Sequence, residues 1–204
     1  TWVDVVVTNP DNQNRKLPKS FVYSAKPKID KITPTGGNPA GGKEITIMGY
    51  SFVEGAKVII GGNPAANVRF GSSGEIQATT PPGKIGPQDV VIENPYGQSG
   101  TLPGGFTYSE APHIENISPI SGTPEGETKV TISGQWFMDK ATVTFGGNPT
   151  EILSLSANAV EVLTPPLITR KPQAVDVVLT NPDEQSHTKF KGFIYTEAHQ
   201  QNLY

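Results

Sequence analysis

Histidines, recurrent carboxylates and a glycine-rich segment are the residues of this chain whose types could do chemistry. Neutral imidazole binds transition metals and titrates near neutrality, but His113, His187 and His199 share no spacing. With no cysteine anywhere in the 204 residues, no His/Cys ligand pattern exists either. The three read as surface groups: His113 in a first strand, His187 in a hairpin turn, His199 in the tail. Asp4, Asp89 and Asp176 recur at the same point of a repeated phrase. A position shared by every copy is what a folding requirement produces, so each is expected to hydrogen-bond the preceding turn. Gly36-Gly-Asn-Pro-Ala-Gly-Gly42 precedes a strand rather than a helix N-terminus and reads as a turn, not a phosphate cradle. Asn116-Ile-Ser118 is one glycosylation sequon, an ordinary chance occurrence. No catalytic residue, metal ligand or cofactor follows from these groups.

The elements that position them come from the repeat. Asp4-Val-Val-Val-Thr-Asn-Pro10, Asp89-Val-Val-Ile-Glu-Asn-Pro95 and Asp176-Val-Val-Leu-Thr-Asn-Pro182 lie 85 and 87 residues apart (89 − 4 and 176 − 89). Each is followed by an aromatic pair: Phe21 and Tyr23, Phe106 and Tyr108, Phe193 and Tyr195. That period suits a small β-domain and is too long for a solenoid unit. Two complete copies are expected at 26–110 and 111–196, with a polar tail at 197–204. Residues 1–25 carry only the last two strands of a copy. Val5, Val7, Phe21 and Tyr23 would share one face of that hairpin, which cannot bury it alone. Upstream chain, a neighbouring domain or another subunit must cover it.

Within each complete copy, Ile29 and Ile32, like Ile114 and Ile117, are spaced by three, which calls for a bulge if both are to reach a core. Lys43-Glu-Ile-Thr-Ile-Met-Gly49 alternates as a strand does. Gly49 and Gly134 are expected to supply a turn that a Cβ would obstruct, with Phe52 and Phe137 as core plugs. Gly61-Gly62-Asn63 reverses the chain, and Thr80-Pro-Pro82, like Thr164-Pro-Pro166, stops strand pairing.

Composition agrees with an all-β chain. Gly 22 and Pro 19 against 35% hydrophobic residues suit short strands joined by tight turns, and no stretch holds a helical period for three turns. The net charge is −3, with 16 scattered Lys and Arg residues. That offers no footprint for a nucleic-acid backbone. No apolar run reaches membrane-spanning length, and Thr1-Trp-Val-Asp4 is not a signal peptide, so any targeting signal is expected elsewhere.

Taken together, Ile-x-x-Ile-x-Pro, Gly-x-x-Phe, Val-x-x-Gly-Gly-Asn-Pro, Thr-Pro-Pro and Asp-Val-Val before Phe-x-Tyr resemble the IPT/TIG family of immunoglobulin-like domains. The resemblance covers nearly the whole chain. It implies tandem immunoglobulin-like β-sandwiches of about seven strands each. It also implies a non-enzymatic extracellular role, as spacer or adhesive segment of a larger surface or secreted protein of bacterial type. The linkers, only Ser-Ala-Lys and Ser-Glu-Ala between Tyr and Pro, are expected to give an extended, semi-rigid rod.

Positions where the copies differ are free for function. Trp136 stands where the first complete copy has Ser51, and Tyr50 where the second has Gln135. Trp136, with Tyr50, either packs on a neighbouring loop or domain or, if exposed, contacts a protein or stacks on a sugar. The latter would suit a glycan-binding segment of a polysaccharide-degrading system. Trp2, Val5, Val7, Phe21 and Tyr23 are the candidates for strand addition, self-association or an interdomain contact, with Trp2 packing on its own domain's missing part. A DNA-binding dimerisation domain is disfavoured by the acidic balance.

Overall fold

The computed structural model describes residues 2–167 and 171–197. The tail beyond 197, with His199, lies outside them. Among the described residues are twenty strands and no helix. The chain divides into two compact units, Thr1–Thr35 with Pro39–Tyr108, and Gly36–Asn38 with Ser109–Tyr204.

In the first unit one sheet runs Lys28–Thr33, Glu44–Tyr50, Glu75–Thr79, Ala66–Ser72, with neighbours antiparallel. The facing sheet contains, in order, Ser99–Tyr108, Gly86–Glu93, Lys57–Ile60 and Asn63–Pro64. Alternation places Ile45 and Ile47 of one sheet and Val58, Ile60, Val90 and Ile92 of the other in a shared core. Phe52 plugs it. The second unit repeats this plan with His113–Ser118, Lys129–Gln135, Ala159–Leu163 and Glu151–Leu155 in one sheet. Ser121–Gly122, Ser186–Tyr195, Gln173–Thr180, Thr142–Phe145 and Asn148–Pro149 make the other. Both units are immunoglobulin-like sandwiches.

Three local expectations can be traced. Ile29 pairs with Gly49 and Lys31 with Met48, so one extra residue lets both Ile29 and Ile32 point inward. The same slip between Ile114 and Asn116 buries Ile114 and Ile117. Gly61 and Gly62 have φ of 57° and 82° and close a two-residue turn between Ile60 and its partner Asn63. Gly49 departs from expectation. It supplies no turn but lies within Glu44–Tyr50, where a Cβ would come within 2.0 Å of the Lys28 carbonyl oxygen. Close approach of the bulged first strand is its reason.

The hairpin at the N-terminus is longer than the phrase suggested, with Trp2–Thr8 paired to Asn14–Val22 around the turn at 9–12. The expected strand Phe21–Tyr23 is the end of this longer one, and Tyr23 falls just past it. The same extension holds at Ser99–Tyr108 and Ser186–Tyr195. The polar first halves of these strands lack the alternation that marks a buried face, so periodicity alone hides them.

Candidate interaction surface

Polar groups repeated in the complete copies hydrogen-bond to the backbone. The Gly104 amide donates to Asp89 Oδ1 at 2.8 Å, Lys191 to Asp176 Oδ1 at 2.7 Å, and Lys19 to Asp4 Oδ1 at 2.8 Å. Each acceptor thus reaches a bulge in the following strand, fifteen residues on, where the amide-bearing residue has positive φ (46° to 58°). This corrects the expected bond to the preceding turn. The recurrent Asp exists because the bulge frees one amide that no ladder partner accepts. In the hairpin, Lys16 also sits 2.6 Å from Asp4 and, with the Lys19 amide, holds its carboxyl below the usual range.

Asn94 and Asn181 of the repeated Asn-Pro are buried and clamp one loop each. Asn181 Nδ2 donates to the Trp136 carbonyl at 2.8 Å, and its Oδ1 accepts from the Met138 amide at 3.1 Å. Asn94 does the same for Ser51 and Val53 at 2.8 and 3.2 Å. Tyr108 and Tyr195 donate their hydroxyls to the carbonyls of Pro81 and Pro165, the prolines that end strand pairing. Burial pushes both phenols up, Tyr195 to about 12. None of these groups is left over for an outside ligand.

The divergent positions lie elsewhere. Trp136 is 49% exposed and Tyr50 61%. Trp136 lines an open cavity of about 360 Å³ with Glu115, Gly134, Gln135, Ala157 and Asn158. Gln135 Nε2 donates to Glu115 Oε1 at 2.6 Å. Glu115, Gln135 and Asn158 were not singled out in the sequence, because only strand register brings the first strand, the second and the turn before Ala159–Leu163 together. Tyr50 instead stands over Lys28, whose ammonium is 5.9 Å from the ring centre and 2.9 Å from Asp30.

Two of the three histidines, placed apart by the sequence reading, meet. The rings of His113 and His187 are 4.6 Å apart, and His187 Nδ1 accepts the Ile114 amide at 3.1 Å. Accepting there puts the proton of neutral His187 on Nε2, so no free lone pair remains for a metal. Burial, then His113 and Lys189, hold His187 below its ordinary value. Among the described residues no cluster of three or more His, Cys, Asp or Glu is placed to hold a metal ion. No described helix is long and apolar enough to cross a membrane.

In the hairpin, Val5, Val7, Phe21 and Tyr23 are 40%, 63%, 50% and 71% exposed. Their equivalents Val90, Ile92, Phe106 and Tyr108 are 0–1% exposed. Phe21 and Tyr23 nonetheless keep the T-shaped contact, 5.1 Å between centres, that Phe106 and Tyr108 make at 5.0 Å. Trp2, half exposed, packs edge-on against Tyr96, with centres 5.6 Å apart.

Comparison with known proteins follows the same division. Residues 27–108 and 112–194 each match the IPT/TIG domain. Fibrocystin-L of Mus musculus is 30% identical over 115 residues, covering 55% of this chain and 3% of that protein. An ankyrin and IPT/TIG repeat-containing protein of Schizosaccharomyces pombe is 39% identical over 111 residues, 51% of this chain and 9% of that protein. The chain therefore spans under a tenth of the length of these curated relatives. The extracellular region of plexin A4 shares the fold, with a TM-score of 0.51 and 21% identity over 93% of this chain and 17% of that one. The chain belongs to the IPT/TIG family.

Proposed function

We propose that this chain is a non-enzymatic, extracellular spacer and interaction segment of a larger protein, its sandwiches presenting surfaces to partners. One observation carries the reading: the polar groups common to the copies, Asp89 and Asp176, Asn94 and Asn181, Tyr108 and Tyr195, are consumed in backbone hydrogen bonds. A fold that spends its recurrent chemistry on holding strands and loops is suited to bearing shape rather than turning over a substrate. The family match and the shared fold of the plexin A4 extracellular region support the extracellular setting. Labelling of intact cells that carry the parent protein with a membrane-impermeant amine reagent tests the setting: the exposed lysines of this segment are expected to react. Labelling only after lysis would overturn it.

A second reading is favoured by the hairpin. Residues equivalent to a buried core are exposed in it, so the edges and apolar face of Trp2–Thr8 and Asn14–Val22 can accept strands from a second copy. Sedimentation across a concentration series is expected to show dimers that Val5→Lys with Val7→Lys abolishes. A monodisperse monomer at every concentration would sink this reading.

A further inference from the structure

We propose that the cavity beside Trp136 is a binding subsite for a neutral pyranose ring of a glycan. The inference rests on the reading of the chain as an interaction segment and names a ligand class for one of its surfaces. The backbone of Trp136 is left-handed, with φ of 58°, and its counterpart Ser51 has φ of 60°. The fold imposes that conformation at both positions and locks it with the Asn clamp described above. Bulky side chains are disfavoured there, and small or polar ones suffice, as Ser51 demonstrates. An indole at such a position, half exposed, gains little core burial in return. Backbone strain tolerated without packing gain points to use of the side chain.

The surroundings say what the use is. A pyranose has apolar C–H faces that match an indole face, and a rim of hydroxyls that are both donors and acceptors. The cavity offers the indole, one carboxylate (Glu115) and two carboxamides (Gln135 and Asn158), with Gly134 and Ala157 completing its lining. Carboxamides both donate and accept, and the carboxylate accepts, so the set matches hydroxyls rather than a charged group. Gln135 is bonded to Glu115, which fixes both before a ligand arrives. The carboxylate, in a chain of net charge −3, disfavours anionic ligands. A volume of about 360 Å³ falls at the small end of ligand sites, room for a ring or two of a chain rather than a whole oligosaccharide. An apolar protein anchor would meet three polar residues, Glu115, Gln135 and Asn158, beside the indole.

The first unit is an internal control. Backbone pairing equates Asn158 with Gly74, since Gly134 and Gly49 donate to their respective carbonyls. At the four places where the second unit has Glu115, Gln135, Trp136 and Asn158, the first has Asp30, Tyr50, Ser51 and Gly74. Its Asp30 is engaged by Lys28. The subsite belongs to the second unit alone.

The test uses the whole chain in native affinity gels cast with neutral polysaccharides (β-glucan, xylan, galactomannan) and, in parallel, with anionic pectin. Titrations with the corresponding neutral hexasaccharides follow. Retardation by at least one neutral glycan is expected. Binding should fall by about tenfold or more in Trp136→Ser, and by a smaller factor in Asn158→Gly. Trp136→Ser places the residue of the first unit on the same backbone, so its thermal midpoint should match the parent, and loss of binding cannot be ascribed to unfolding. Retardation unchanged by Trp136→Ser overturns the proposal, as does binding to pectin only or to no glycan at all. These failures leave the spacer reading intact, because labelling of intact cells decides that one independently.

Discussion

Single residues in this protein act chiefly through what their backbone must approach. A Cβ at Gly134 would lie 1.9 Å from the His113 carbonyl oxygen and 2.8 Å from the ring of Phe137, itself a buried plug. Gly134→Ala must therefore push the first strand of its sandwich away. A loss of about 3 kcal/mol or more is expected, the range of overpacking combined with broken pairing, read as a lower denaturant midpoint for the second unit. Tyr195 has a different signature. Its phenol is pushed up to about 12 by burial, whereas the unfolded chain titrates near 10. Because the folded state holds the proton more tightly, this stability is fully present below pH 10. It is lost as pH rises through that value toward about 12. Denaturation profiles at pH 9 and pH 11 should show the fall, and Tyr195→Phe should flatten it. The same variant lowers stability at pH 7 by about 1 kcal/mol through loss of the bond to Pro165.

At the scale of elements, the penultimate and last strands of every copy are joined by one device: an Asp at the start of the first and a left-handed bulge residue in the second. The copies differ only in who occupies the bulge: Lys19, Gly104 and Lys191. Lys191 has φ of 49°, a conformation glycine adopts freely. Lys191→Gly is expected to raise stability by a few tenths to about 1 kcal/mol, since relief of left-handed strain exceeds glycine's entropy cost. Asp176→Ala should lower it by about 1 kcal/mol by orphaning the amide. Double-mutant denaturation would show the two coupled. A second element-scale joint is particular to the second unit, where His187 of the last strand accepts the Ile114 amide of the first. Its pKa is held below the ordinary 6.5, by burial first and then by His113 and Lys189. The unfolded chain therefore takes up the proton first. The stability is present above pH 6.5 and lost as pH falls through the lowered value. Denaturation between pH 7.5 and 5 should weaken the parent more than His187→Gln, whose amide oxygen still accepts at low pH.

For the whole molecule, the repeat made the architecture legible. Alternating residues such as Ile45 and Ile47 faced the core as their period required, and Ile29 with Ile32 revealed a bulge before any coordinates, because two apolar residues three apart cannot otherwise share a strand face. Trp136 was marked in the sequence as a large residue where its copy has a small one, and the structure leaves it half exposed. Less was legible of what surrounds it. Glu115 and Asn158 are twenty-one and twenty-two residues from Trp136 in the chain (136 − 115 and 158 − 136), and neither carries any mark of its own. The destination of the Asp carboxylates was misread for the same reason: a bulge fifteen residues away is invisible to local pattern. The sequence by itself determined which residues repeat, which alternate and therefore which face the core of each complete copy, since those follow from the period of a strand and the identity of neighbours along the chain. Only the tertiary structure decided which side chains meet: His113 with His187, Trp2 with Tyr96, and Trp136 with Glu115, Gln135 and Asn158. Such meetings are set by cross-strand register and loop closure, and a single residue's shift in either would send the same side chains to opposite faces.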